Sequence, residues 1–214
     1  MNTLFIGQNT IKLDAVGSTN DYASELLSRG LKREKVFEGT VVYALSQRAG
    51  KGQRGKKWES EPFKNLTFSI VFYPSFLSAQ EQFMLSKAVS LGICDYVSSV
   101  INKEAKIKWP NDIKVGNEKI AGILIENSIR NNEIMHSIVG IGLNVNQTGF
   151  GKNIPNPTSL KLITGKNIDL EVCLGDLCSY LEARYLQLKS GKSKKINEDY
   201  EKSAVHSQQP ADDV

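Results

Sequence analysis

Cysteine and histidine are scarce, with three and two copies in 214 residues. Cys94, Cys173 and Cys178 cannot all pair with one another, and neither they nor His136 and His206 fall at metal-ligand spacing. A disulfide framework and a zinc site therefore drop out, and buried reduced thiols are expected. No apolar run approaches the ~18–20 residues of a membrane-spanning helix. The start, Met1-Asn2-Thr3-Leu4-Phe5, lacks the basic and apolar regions of a signal peptide. A cytoplasmic protein without a membrane partner is the expectation. A large excess of one charge is missing too: 27 Lys+Arg against 23 Asp+Glu gives +4. That suits an anionic small ligand and falls short of a DNA-coating surface, so no DNA partner is expected. No Ser-His or Cys-His arrangement suggests a protein nucleophile, and there is no internal repeat.

What is present is enough for a real core: 40% apolar and 23% charged residues over a length that suits one domain, or one with a small appendage. Leu4–Ile6 and Ile11–Val16 read as short strands. A helix over Asp21–Ser28 follows the capping oxygens of Ser18-Thr19-Asn20 and ends at Gly30. Thr40–Leu45 and Leu66–Tyr73 are β-rich runs, the latter stopped by Pro74. Ser78–Ile101 reads as a long helix. Strands are predicted over Ile113–Val115, Ile120–Ile125 and Ile134–Leu143, separated by turns at Gly116-Asn117 and Arg130-Asn131-Asn132. These hairpin signals argue for an α+β domain with a mixed, mostly antiparallel sheet flanked by helices. Asn144–Pro157 is a loop rich in Gly, Asn and Pro, and Leu170–Leu188 is the last predicted helix. From Ser190 the chain turns polar, and Ser203–Val214 shows no pattern.

Gln47-Arg48-Ala49-Gly50-Lys51-Gly52-Gln53-Arg54-Gly55-Lys56-Lys57-Trp58 carries the strongest signal. Its glycines formally satisfy G-x-G-x-x-G. A dinucleotide fold needs those glycines to open a helix whose N-terminus holds pyrophosphate, yet Trp58-Glu59-Ser60-Glu61-Pro62 and a strand follow. A kinase needs His-Arg-Asp and Asp-Phe-Gly, and neither occurs. What remains is either a solvated basic loop or a flexible backbone that approaches an anion closely, with Lys51, Arg54, Lys56 and Lys57 around it.

Lys108-Trp109-Pro110-Asn111-Asp112 forms a second constellation, in which a rigid turn displays a cation, an aromatic, an amide and a carboxylate. Lys119 enters the apolar strand at Ile120. It is either a snorkelling edge lysine or one that requires a counter-charge. Gly140-Ile141-Gly142-Leu143-Asn144 leaves room for a ligand beside a strand end, with Asn144 able to read a polar edge.

These three elements in this order, preceded by Ser18-Thr19-Asn20, resemble the catalytic domain of the biotin protein ligases, or biotin–[acetyl-CoA-carboxylase] ligases. The likeness spans most of the first 150 residues. It implies a fold related to class II aminoacyl-tRNA synthetases and two half-reactions. Biotin and MgATP would give biotinyl-5′-AMP and pyrophosphate, and a lysine of a biotin carboxyl carrier protein would then take the biotinyl group. By resemblance Ser18, Thr19, Asn20 and Gln47 would line the ureido end of biotin, with Gly122, Leu124 and Gly140 at the pocket wall. Gly50-Lys51-Gly52 would close over the biotin carboxylate and the ATP α-phosphate, and Arg54 and Lys56 would add phosphate contacts. Trp58, Asn111, Asp112 and Asn144 would lie on the adenylate side, and Lys119, with Lys51, would contact the reacting groups. Two anions must meet in such a site, so lysines and backbone donors that cancel their repulsion make chemical sense. The resemblance implies magnesium with ATP and names no residues that would ligate it.

Two positions depart from the family pattern: Lys51 stands where arginine is usual, and Gln53 where a second arginine often appears. Lysine keeps the charge and loses the bidentate fork. About 17 residues precede Ser18, too few for a helix-turn-helix, so the non-repressor type is expected. Residues 1–190 would be the catalytic domain and 191–214 a polar C-terminal tail, without the SH3-like barrel usual in the family. The alternatives are a lipoate or octanoyl protein acyltransferase and a non-catalytic biotinyl-adenylate-binding module. A homodimer through a sheet edge is compatible with the family.

Overall fold

The computed structural model describes residues 2–30, 36–152 and 154–205. His206 and the stretch 206–214 read as patternless lie outside them. Seven strands form one sheet: β1 (Thr10–Leu13), β2 (Val41–Ala44), β3 (Leu66–Phe72), β4 (Ala105–Lys108), β5 (Asp112–Val115), β6 (Glu118–Arg130) and β7 (Glu133–Leu143). Their spatial order is β1-β2-β3-β7-β6-β5-β4. Only the β1–β2 pair is parallel. The sheet is mixed and mostly antiparallel, as the hairpin signals predict.

Five helices pack on it: α1 (Thr19–Gly30), α2 (Phe83–Ile101), α3 (Leu160–Thr164), α4 (Leu170–Lys189) and α5 (Ser193–Ser203). α1 lies on one face, where Ala23 meets Val42, Val71 and Ile138. The main core fills the other face, with Phe68, Ile70, Phe72, Ile113 and Ile141 from the sheet against Leu85, Ile93 and Val97 of α2 and Leu177 and Leu181 of α4. The segment Ala79–Ile101 contains a window of 18 residues with a mean hydropathy of 1.3, enough to match a membrane span by composition alone, an exception to the sequence expectation. Its place is this core: eleven residues of α2 are buried. Gly92 marks the closest approach, since a methyl there would sit 3.0 Å from the Leu181 Cα of α4.

Three sequence expectations are corrected. Leu4–Ile6 is a turn and not a strand, because its backbone N–H groups find a different acceptor: Leu4, Phe5 and Ile6 donate to the buried Glu182 carboxylate at 2.6, 2.8 and 2.9 Å. The strand read over Ile11–Val16 ends at Leu13, and Val16 makes only an isolated bridge to Gln47. Leu170–Leu188 is not the last helix. α5 was hidden by its polar composition; its apolar Ile196 and Tyr200, four apart, are buried together. Asp199 of α5 joins Arg184 of α4 at 2.7 Å, and Arg184 also holds Asp95 of α2 at 2.6 Å. The stretch from 191 onward thus begins as part of the packed fold.

Glu182→Ala strips the acceptor from three backbone donors in and around the core. Each unsatisfied donor costs about 1–3 kcal/mol when buried, and at this chain length 1 kcal/mol moves Tm by about 2–4 °C. Of the three only the Ile6 donor is fully buried, so a fall in Tm of about 2–12 °C is expected in a thermal melt, with Glu182→Gln recovering part of it through its remaining carbonyl.

Candidate active site

The sheet register builds the floor of the site. On the α1 face, one row across the strands runs Asp112, Gly122, Gly142, Thr67, and the next runs Leu124, Gly140, Ser69. Glycine at 122, 140 and 142 hollows out the middle of an otherwise filled surface. What lies over each is close: a methyl at Gly142 would be 2.2 Å from the Trp58 ring, one at Gly122 2.9 Å from it, and one at Gly140 2.3 Å from Asn20 Oδ1. Above this floor lies a cavity of about 740 Å³, within the usual size of small-molecule sites.

One end of the cavity is buried and polar. Ser18 directly precedes α1, Thr19 and Asn20 start it, and all three, like Ser69 on β3, are almost fully buried. Gln47 Oε1 accepts from the Thr19 N–H at 2.9 Å and the Thr19 hydroxyl at 3.2 Å. The Ser69 hydroxyl lies 2.6 Å from Asn20 Oδ1 and 2.7 Å from Thr19 Oγ1. With Oε1 engaged twice, Gln47 turns its Nε2 donors away from Thr19, and they meet no acceptor among the described residues. The end therefore offers donors from Gln47 and a free lone pair on Asn20 Oδ1.

The middle is cationic and aromatic. Lys119 Nζ pairs with Asp112 Oδ1 at 2.6 Å and lies 5.4 Å from the centre of a Trp58 ring. This supplies the counter-charge that a lysine entering an apolar strand requires. The Lys119 backbone is held as well: its N–H donates to the Asn156 carbonyl at 2.7 Å, and its carbonyl accepts from Thr158 at 2.9 Å. Asn111 follows a cis Trp109–Pro110 peptide and clips β5 to β6, its Nδ2 on the Ile123 carbonyl at 3.0 Å.

The glycine loop is a small self-paired hairpin. Trp58 N–H donates to Gly50 and Gly52 N–H to Lys56, at 2.9 and 2.7 Å, around a turn in which Arg54 and Gly55 have φ of 55° and 75°. One N–H expected to face an anion, that of Gly52, is thereby used within the loop. Gly50 lies behind the cavity lining, pressed between the Trp58 carbonyl and the Gln47 amide at 2.3 and 2.6 Å from the position of a methyl. Lys51 is ion-paired with Asp21 of α1, and that bond raises its pKa.

Ser18, Thr19, Asn20, Gln47, Lys51, Gly52, Arg54, Lys56, Trp58, Asn111, Asp112, Lys119, Gly122, Leu124, Gly140 and Asn144 thus come together around one cavity, with Gly50 just behind it. Asn144 is turned inward: it is buried, and its Nδ2 donates to the Thr158 carbonyl at 2.9 Å, so it shapes the loop that walls the cavity. Sequence reading missed that wall, made by Phe150, Ile154, Pro155 and Pro157. It also missed Asp21, Ser69 and Glu126. Ser69 was legible, with Thr67, as a small polar residue inside an apolar strand; the others carry no local signal.

Known proteins extend the comparison. Residues 14–144 match the model of the biotin/lipoate A/B protein ligase family. A biotin–[acetyl-CoA-carboxylase] ligase of Mycobacterium tuberculosis is 30% identical over 85% of this chain and 66% of its own length. A bifunctional ligase/repressor of Bacillus spizizenii is 29% identical over 86% of this chain and 56% of its own. The chain thus spans between about half and two thirds of the length of these curated relatives. Among solved structures, a biotin protein ligase from Aquifex aeolicus in complex with biotin and ATP is 28% identical, covers 92% of this chain and 79% of its own, and superposes with a TM-score of 0.77. The match of the family model reaches from the strand end before Ser18 to Asn144 and contains every element of the cavity's floor, polar end and glycine loop: the chain belongs to the biotin/lipoate A/B protein ligase family.

Proposed function

We propose that the protein is an ATP-dependent biotin protein ligase. In the first step a biotin carboxylate oxygen attacks the α-phosphorus of ATP, and the bond to pyrophosphate breaks. In the second, the neutral amine of a carrier lysine attacks the biotinyl carbonyl, losing a proton as AMP leaves. The acceptor would be a biotin carboxyl carrier protein of acetyl-CoA carboxylase or a related carboxylase. Magnesium would enter with ATP as part of the substrate.

The polar end of the cavity carries this reading. A ureido group has both a carbonyl and N–H groups, and the cavity offers donors on Gln47 Nε2 and an acceptor on Asn20 Oδ1. The dithiolane of lipoate has neither, and would leave these groups without partners at a cost of about 1–3 kcal/mol each. Lys119, Lys51, Arg54 and Lys56 lie along the rest of the cavity, where a carboxylate and a triphosphate would need their charges offset. The relatives named as biotin ligases support the same choice. A cytoplasmic setting is supported by the three free, buried thiols, with burial pushing Cys173 and Cys178 up to about 12.

Exchange of labelled pyrophosphate into ATP tests the first step. Exchange is expected with biotin and not with lipoate or octanoate. Transfer of labelled biotin to a purified carrier domain tests the second; exchange without transfer would limit the protein to adenylate formation, and the absence of both, with the adenylate still bound, would make it a non-catalytic binding module.

A further inference from the structure

Glu126 lies on β6, exposed and outside the lining of the cavity. Its Oε2 nevertheless accepts a 2.6 Å hydrogen bond from Nδ2 of the buried Asn20. We propose that Glu126 is a positioning residue that fixes the Asn20 amide and thereby decides which of its atoms faces the cavity, an inference that rests on the biotin reading.

An asparagine amide is nearly symmetric in shape and opposite in hydrogen-bonding sense at its two ends. Turned one way, Asn20 presents an acceptor above Gly140; turned the other, it presents a donor. Ser69 does not decide between them, because a hydroxyl both donates and accepts. The Leu124 carbonyl, 3.4 Å from Nδ2, favours the first only weakly. A carboxylate only accepts, so Glu126 compels Nδ2 to face it, through a short charge-assisted bond. Oδ1 is then left above Gly140, taking the Ser69 hydroxyl on one lone pair and keeping the other for a ligand N–H. The polarity of a buried recognition group is set by an exposed carboxylate one row beyond Leu124 on the same face of the sheet.

Three substitutions separate this from a general effect of charge, since Lys51 also feels the Glu126 carboxylate. Glu126→Gln loses the charge and keeps an acceptor. Glu126→Ala loses both. Glu126→Lys offers only donors, so the Asn20 amide is expected to turn over and set a donor against the ureido N–H. In biotin-dependent pyrophosphate exchange, KM for biotin is expected to stay within about twofold for Glu126→Gln. It should rise several-fold, roughly 2–10, for Glu126→Ala, the effect of one neutral hydrogen bond. For Glu126→Lys the rise should be about tenfold or more, because two donors then oppose each other in a buried site. KM for ATP and kcat at saturating biotin should barely move, and Tm should fall by about 1–6 °C, as the loss of one hydrogen bond does.

Equal biotin KM values for the Gln and Ala variants overturn the proposal, since charge alone would then explain them. A fall in kcat or Tm with biotin KM unchanged overturns it as well, and so does a flat series. The wild-type protein keeps the two readings apart. If it shows no biotin-dependent exchange, the biotin reading itself fails and takes the assignment with it; if it does and the variants are flat, only the role of Glu126 fails.

Discussion

Replacing Lys119 by alanine is expected to lower the single-turnover rate of adenylate formation by about 10²–10³ while leaving the biotin dissociation constant nearly unchanged. The magnitude is that of removing one preorganised donor from a site where charge redistributes in the transition state. Lys119 meets the condition of preorganisation. Its backbone is pinned on both sides by the 156–158 segment, and its ammonium is held extended by Asp112 at 2.6 Å and by the face of Trp58. A cation so held needs little rearrangement when the biotin carboxylate and the α-phosphate come together. Lys119→Arg should restore little, because the planar fork is bulkier and would meet Asp112 and Trp58 differently. Asp112→Asn should fall between, since Lys119 keeps its charge and loses its tether. Rapid-quench adenylation beside equilibrium biotin binding checks all three. Collapse of binding with an intact rate at saturation would refute the catalytic assignment of Lys119.

Gly140→Ala is expected to raise KM for biotin by between about tenfold and a hundredfold, the range of an overpacked core position. The added methyl would lie 2.3 Å from Asn20 Oδ1. The backbone cannot give way, because β7 is paired with β3 on one side and β6 on the other at this row. Asn20 must move instead, and it is bound to Ser69 and Glu126. One methyl therefore disturbs the whole polar end of the cavity. Gly149→Ala, with nothing within 4 Å of the new methyl, is the control and should leave the kinetic constants alone.

How much of this was legible in the sequence depends on the range of the interactions. The strands of the Lys108–Leu143 meander are set by local turn signals, and their order follows from hairpin connections. The segments that failed, Leu4–Ile6 and Ser193–Ser203, are those whose conformation is decided by distant partners: a carboxylate 176 to 178 residues away for the first, and packing against α2 for the second. The site divides the same way. Motif residues such as Gln47, Trp58 and Lys119 stand out by type and spacing, and the structure gathers them at one cavity. What they are bound to does not show in a sequence. The pairing of Lys51 with Asp21, of Asn20 with Glu126 and of Lys119 with Asp112 follows from strand register and helix placement. The hairpin that engages the Gly52 N–H was equally hidden, because glycine permits a tight self-paired turn as readily as an anion cradle.

The end of the described chain bears on association. β4 is the outermost strand, and an open strand edge is a template for pairing with another chain. Here Ala204 forms a parallel bridge with Ile107, and the Val205 N–H donates to the Ile107 carbonyl at 2.8 Å. The middle of that edge is thus already capped by the molecule's own backbone. A two-fold assembly that continued the sheet through β4 would first have to peel this segment away. Among the described residues no strand pairs with the outer side of β1, so joining two copies there would displace none of them.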